Sequence, residues 1–293
     1  MQHPQCIEVD SDYLVRDAEN FKHERSPTEP PKGTPNDEKL EDELHALRRE
    51  LDEQQRILYA NAQYGVLLIF QGMDASGKDG TIRAVLRRID PAGIAVTAFG
   101  PPSHEENRHD FLWRTSHDLP KRGHIAVYNR SYYEEVLITR VHPEFLKAQH
   151  IADACDVESV MKHRLQSIAA HEKHLAHNGT IIIKFWLKHS QEVQRHRFLE
   201  RLTEPEKFGK FSSADIEERQ YWDHYMEAYQ TAIRATHQPW APWYVVPSDN
   251  KPYQHVAVAR IIRDTLTSFA KSYPKVEGER RLVLDKMREQ LLA

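Results

Sequence analysis

An apolar run, Val66-Leu-Leu-Ile-Phe70, leads into Gly72-Met-Asp-Ala-Ser-Gly77-Lys78-Asp79-Gly80 and then into the amphipathic stretch Thr81–Arg88. A buried strand that ends in a glycine-rich turn and opens a helix aims backbone N–H groups and the positive end of the helix at one point. Such a point binds anions, phosphates above all. The spacing G-x-x-x-x-G-K is that of a phosphate-binding loop, and it places Lys78 to reach the phosphates, with Asp79 standing where a Ser or Thr magnesium ligand is usual. Gly72, Ala75, Ser76, Gly77, Lys78, Asp79 and Gly80 are therefore the candidate phosphate-binding residues. A glycine turn with a purely structural role is the alternative.

The chain has 293 residues, enough for one large α/β domain or two small ones. No apolar run approaches the roughly 20 residues that cross a bilayer, and no basic segment followed by an apolar one opens the chain. A cytoplasmic protein without membrane contact is expected. Cys6 and Cys155 have no metal-ligand neighbours, so both are expected to be free thiols in a reducing compartment. Residues 1–62 hold 15 acidic and 8 basic side chains, whereas residues 63–293 hold 29 and 32. The part with the phosphate loop is thus the basic part, which favours an anionic substrate.

Residues 1–35 are poor in apolar side chains and carry Pro27, Pro30, Pro31 and Pro35, so a flexible or draped arm is expected. Leu40, Leu44, Leu47, Leu51 and Leu58 then recur at helical intervals and predict an amphipathic helix over 37–61, either packed on the domain or used in a subunit contact. From 36 onward a single domain is expected. Ile94–Phe99, His124–Tyr128, Thr180–Leu187 and Trp243–Val246 read as further strands. Helices are predicted over 103–119 (with Phe111, Leu112 and Trp113 inward), 157–177, 191–202, 213–236 and 252–272, with a charged tail helix over 278–292. Strands alternating with helices at this spacing give a three-layer, doubly wound parallel sheet. Asn129–Glu135 and Pro247–Lys251 fall at C-terminal strand ends, the edge at which open α/β sheets bind ligands. His171 and His174 could hold a metal, but no carboxylate or cysteine cluster joins them. Arg195, Arg197 and Arg201, followed by a polar segment ending at Lys210, read either as a lid over phosphates (about 195–219) or as a solvated basic face.

Several long stretches resemble the family-2 polyphosphate kinases, P-loop enzymes that move phosphoryl groups between inorganic polyphosphate and nucleotides. They are Gly72–Ile82, His109–Arg114, Tyr128–Leu137 with Arg140–Pro143, Arg197–Arg201, Trp222–Tyr225 and Ala241–Lys251. The resemblance implies a P-loop nucleotide-kinase-like fold with a helical lid, Mg²⁺ (or Mn²⁺) as cofactor, and polyphosphate and purine nucleotides as substrates. It implies that Asp74 binds the metal, Lys78 holds the transferring phosphate, Arg130 and Arg114 orient phosphates, and Arg197, Arg201 and Lys210 belong to the lid. Asn129 and Glu134, in place of an aspartate and an asparagine, resemble class III, whose members phosphorylate both mono- and diphosphates (AMP and ADP, GMP and GDP). Asn129, Glu134, Asp249 and Asn250 are the expected nucleotide side. A homo-oligomer, dimer or tetramer, is expected, and no nucleic acid partner. Gly100, Gly209 and Pro252 depart from the family pattern.

Chemistry drawn from the residues agrees. A phosphate acceptor is already an anion and needs no base, so catalysis reduces to aligning two polyanions and neutralising charge. An ATP-dependent nucleoside-monophosphate kinase and a non-catalytic phosphate-loop binding protein remain the alternatives. The arginines at 197 and 201 and Glu134 argue against the latter.

Overall fold

A computed structural model of the protein describes residues 7–149, 151, 156–210 and 212–293. Cys6 and Cys155, and the side chain of Lys210, lie outside the described residues.

The elements follow in order as α1 (Asp37–Asn61), β1 (Gly65–Gln71), α2 (Lys78–Leu86), β2 (Ile94–Ala98), α3 (Trp113–Ser116), β3 (Ile125–Asn129), α4 (Glu134–Val141) and α5 (Val157–His177). Then come β4 (Thr180–Lys188), α6 (Gln191–Thr203), α7 (Ser213–Glu218), α8 (Trp222–Thr236), β5 (Trp243–Pro247), α9 (Lys251–Phe269) and α10 (Gly278–Leu292). The five strands are parallel in the order β2-β3-β1-β4-β5. β1 therefore lies at the centre, with Leu68 in register with Val127 on one side and Ile183 on the other. Every residue of β1 is buried, which is why it reads as an unbroken apolar run rather than an alternating one. Val66, Leu68 and Phe70 pack with leucines of α1, with α2 and with α9, while Leu67 and Ile69 pack toward α4, α5 and α8. These are the three layers expected. β3 and β4 flank β1, so the chain turns in opposite directions from its C-terminal end and leaves a crevice there.

α1 shows how sequence sets an element. Asn36 accepts a hydrogen bond from Lys39 N and closes its N-terminus, and Leu40, Leu44, Leu47, Leu51 and Leu58 form one buried stripe. That stripe faces α9. Of the residues anticipated as an arm, Tyr13–Val15 lie along the edge of β5: Val15 N donates to Trp243 O, Val245 N donates to Tyr13 O, and Ile7 and Val15 are buried. A sheet edge with unpaired N–H and C=O groups is covered in this way.

Two helices differ from the reading of the sequence. Residues 103–119 form turns, a single 3-10 turn at Glu106–Arg108 and the short α3 in place of one helix. Ser103 and Glu106 cap each other's backbone, and Asp110 accepts from Leu112 N, so local side-chain bonds compete with the helical ladder. Phe111 and Leu112 pack on the core, but Trp113 instead stacks on His109 at 4.0 Å. The helix expected over 213–236 breaks at residues 219–221, where Glu218 is drawn to His142 (3.0 Å) and to the Tyr225 hydroxyl (2.7 Å). α4 was not anticipated.

One buried charge pair supports the strand ends. Lys184, inside β4, meets Glu172 of α5 at 2.5 Å, and Glu172 also accepts from the hydroxyls of Tyr132 (3.0 Å) and Tyr133 (2.9 Å). Both charged residues are almost wholly removed from water. Deleting one partner strands the other, so Lys184→Met is expected to destabilise the fold by about 3–5 kcal/mol in denaturant unfolding. An unchanged unfolding midpoint would count against this.

Candidate active site

The phosphate loop is shaped by side chains that draw its carbonyls outward. Lys78 Nζ donates to Gly72 O at 2.6 Å and Met73 O at 3.3 Å. From α6, Gln194 donates to Asp74 O (3.1 Å) and Arg197 to Ala75 O (2.8 Å), and from α9 Gln254 donates to Ser76 O (3.1 Å). With five successive carbonyls engaged by side chains, and Ala75 and Gly77 at positive φ (64° and 93°), the loop curls around a hollow. Lys78, Asp79 and Gly80 open α2, and the first-turn amides of a helix have no intrahelical acceptor. Gly72 has no room for a side chain: a Cβ there would meet Ser76 Oγ at 2.6 Å and Leu187 O at 2.8 Å.

The hollow opens into a cavity of about 570 Å³. Its walls bring together Asp74, Lys78, Asp79, Asn129, Arg130, Arg197 and Arg201, along with the other loop residues from Ala75 to Gly80. Arg130 sits just past β3 in the left-handed region (φ 65°), which turns its guanidinium back onto Asp74 at 2.7 Å, with Glu134 at 3.5 Å. Glu134 borders a smaller cleft on the far side of Arg130, walled by Tyr225 and Tyr229. With the Gln71 amide oriented so that its oxygen takes the Ser131 N–H, its nitrogen lies 2.7 Å from Glu134 Oε1. Asn129 Nδ2 donates to Asp79 Oδ1 at 2.5 Å. Arg201 pairs with Asp215 at 2.8 Å and so joins α7 to the cavity wall.

Other candidates take different places. Arg114 donates to Gly100 O at 2.7 Å and lies over the Phe99 ring near the rim. Asn250 accepts from Tyr253 N at 2.8 Å and caps α9, whereas Asp249 accepts from the backbone N–H of Ser190 at 2.8 Å, the residue whose own side chain caps α6 through Val193 N. Pro252, at the start of α9, suits that cap because the first helical N–H has no partner to lose. Arg197 is not on a loose lid: it is 7% exposed and its guanidinium also binds Ser248 O (2.6 Å) and Asp249 O (3.3 Å). Among the described residues no group of three or more His, Cys, Asp or Glu is placed to hold a metal, and His171 instead packs edge-on against Tyr132. Gln194, Gln254 and His255 escaped the reading of the sequence. Gln194 shares a helix face with Arg197, but its partner lies 120 residues away.

Electrostatics follow from burial. The Lys78 ammonium is pushed down to about 8, first by loss of water and then by Arg130, against the pull of Asp74, Glu134 and Asp79. Burial raises the Glu134 carboxyl, opposed by Arg130 and Lys78. Burial pushes His255 down to about 4, so at neutral pH it is uncharged and the cavity's positive charge comes from lysine and arginine. Since the cationic form of Lys78 is the one that attracts phosphate, kcat/KM for an anionic substrate is expected to be level below about pH 8 and to fall as pH rises through it. A profile at constant ionic strength checks this, and a flat profile through that range would contradict it.

A central parallel strand, a phosphate loop, a crevice at the strand ends and a ring of arginines define a P-loop phosphotransferase fold. The residues from 34 to 274 match the model of one family, polyphosphate kinase 2 (PPK2). The chain belongs to that family. It is 51% identical over 243 residues to the ADP-polyphosphate phosphotransferase of Rhodopseudomonas palustris, covering 83% of this chain and 84% of the relative. It is 42% identical over 234 residues to the AMP/ADP-polyphosphate phosphotransferase of Meiothermus ruber, covering 80% and 84%. The crystal structure of polyphosphate kinase 2 from Arthrobacter aurescens superposes with a TM-score of 0.82 at 36% identity, over 93% of this chain and 95% of that one.

Proposed function

We propose that the protein transfers a phosphoryl group, reversibly, from inorganic polyphosphate to nucleoside mono- and diphosphates. The observation that carries the reading is one cavity in which Lys78, Arg130, Arg197 and Arg201 converge on the phosphate loop with Asp74 at its crest. Two chains of phosphate brought into one site need many cations, and this site supplies them. Arg130 and Lys78 lie where charge on a transferring phosphoryl group would be greatest. Arginine suits that task because its planar fork binds phosphate oxygens in pairs.

Asp74 is 30% exposed, carries oxygen ligands only, and sits at the cavity, which fits a hard cation held by one carboxylate and by substrate phosphates. Mg²⁺ is the proposed ion, and Mn²⁺ accepts the same donors. When bound, such an ion neutralises charge on the phosphates during transfer. Arg130 already holds the Asp74 carboxylate toward the cavity, and Asn129 orients Asp79 without adding a second negative charge beside it.

The names of the two relatives, one using ADP and the other AMP and ADP, support a nucleotide acceptor, and Asn129 with Glu134 supports both acceptors. The decisive mixture is protein, Mg²⁺, long-chain polyphosphate and either AMP or ADP, with no ATP. ATP is expected from each. ATP from ADP alone would remove the dual-acceptor reading, and turnover only with ATP as donor would favour a nucleoside-monophosphate kinase.

A further inference from the structure

Behind the cavity, the segment before α1 reaches the site from an unexpected side. His23 O and Ser26 O both accept hydrogen bonds from Lys188 Nζ, at 2.6 and 2.5 Å, and Thr28 O accepts from Asp249 N at 2.9 Å. The segment is itself pinned to α8, where His23 N donates to Gln230 Oε1 (3.0 Å) and Arg234 Nε to Phe21 O (2.8 Å). Lys188 is the last residue of β4 and only 8% exposed. An ammonium so far removed from water needs replacement acceptors, and the two carbonyls are those acceptors.

From Lys188 and Asp249 the contacts continue into the site. Ser248 N donates to Lys188 O at 2.9 Å, tying the ends of β4 and β5 together. Asp249 Oδ1 accepts from Ser190 N just ahead of α6, and the carbonyls of Ser248 and Asp249 hold one nitrogen of Arg197 while its other nitrogen holds Ala75 O. An unbroken chain of hydrogen bonds thus joins residues 21–28 to the phosphate loop.

We propose that residues 21–28 are a working part of the phosphate site: by gripping Lys188 and Asp249 they fix the carbonyls that hold Arg197 against the loop. The proposal rests on the phosphotransferase reading above. Lys188 is then a positioning residue that touches no substrate. Because transfer depends on aligning two phosphate chains, a displacement near 1 Å costs up to about 10²-fold in rate, while looser ground-state contacts persist. The effect belongs in kcat rather than in KM.

The test compares Lys188→Met and Lys188→Arg in the full chain with Gln230→Ala/Arg234→Ala, which loosens the strap at α8 without touching the cavity. ATP formation and amide hydrogen exchange at Asp249 are both read. Lys188→Met is expected to lower kcat by about 10-fold or more with KM for polyphosphate little changed, and to speed exchange at Asp249. Lys188→Arg, which keeps a cation with several donors, restores part of the rate. In an Arg197→Lys background Lys188→Met has no further effect, because both act through one contact. Faster exchange at Asp249 with kcat unchanged overturns the proposal, as do rate losses for Lys188→Met and Arg197→Lys that simply multiply. If Lys188→Met does not fold, the Gln230→Ala/Arg234→Ala variant decides by the same two readings. If the unaltered protein uses ATP rather than polyphosphate as donor, the functional reading fails and the kcat comparison is made with ATP.

Discussion

Lys78→Ala is expected to lower phosphoryl transfer by on the order of 10³-fold while leaving the protein folded. The rate loss follows from position: the ammonium sits within the phosphate loop, holds two of its carbonyls, and is the charge nearest the hollow of the loop. Stability should move little because two effects oppose. Removing the amine leaves Gly72 O and Met73 O short of a donor, which costs about 1–3 kcal/mol for a buried acceptor. It also relieves the desolvation that pushes the amine down to about 8. The net change should stay within about 2 kcal/mol, a few degrees in melting temperature. Near-normal turnover of Lys78→Ala, measured with polyphosphate and ADP, would refute the assignment. A collapse of the melting temperature would instead show that the lysine holds the loop together.

Arg130 offers a cleaner separation of backbone from side chain. It is a non-glycine residue at φ 65°, a conformation that costs roughly 1 kcal/mol or more for any residue with a Cβ. Arg130→Gly removes that strain, whereas Arg130→Ala keeps it, and both delete the guanidinium that binds Asp74 and faces Glu134. Both are expected to lose about 10²-fold or more in kcat, with the glycine variant about 1 kcal/mol more stable than the alanine variant. Melting curves and steady-state rates on the two variants check this. Equal stability would mean that the left-handed backbone is cheap at this position. Retained activity in either would remove the guanidinium from the transition state.

These two residues also mark how far the sequence could be read. The placement of Lys78 was legible because its setting is local: strand, glycine turn and helix lie within two dozen residues, and their spacing carries the geometry. The strands and α1 were legible for the same reason, since burial on both faces of a parallel sheet writes continuous apolar runs and burial of one helix face writes a stripe of leucines. The long stretches resembling the family then pointed to Arg130, Glu134 and Asp74 without giving their arrangement.

Where local signals conflicted, the sequence misled. Residues 103–119 were read as one helix, yet Ser103, Glu106 and Asp110 spend their side chains on nearby backbone and only a 3-10 turn and the short α3 form. Arg197 and Arg201 stand one turn apart and read as a pair on one lid. Both line the cavity, but with different partners: Arg197 is bound to Ala75 O and to carbonyls just past β5, while Arg201 pairs with Asp215 on α7. At the ligand edge of the sheet, the Asn250 side chain caps α9 and that of Asp249 accepts from Ser190 N just ahead of α6, contacts that the sequence did not reveal.

The sequence by itself determined the parallel α/β architecture, the position of the anion site and the stock of cations around it, because each is set by spacings within one or two adjacent elements. Tertiary structure alone decided which side chains shape the phosphate loop and how the arm before α1 meets the strand ends. Gln194 and Gln254 reach the loop from 120 and 178 residues away, and Lys188 meets His23 across 165. Hydrogen bonds of that kind depend on the packing of three layers, and a one-dimensional pattern carries no trace of which distant carbonyl a buried donor will find.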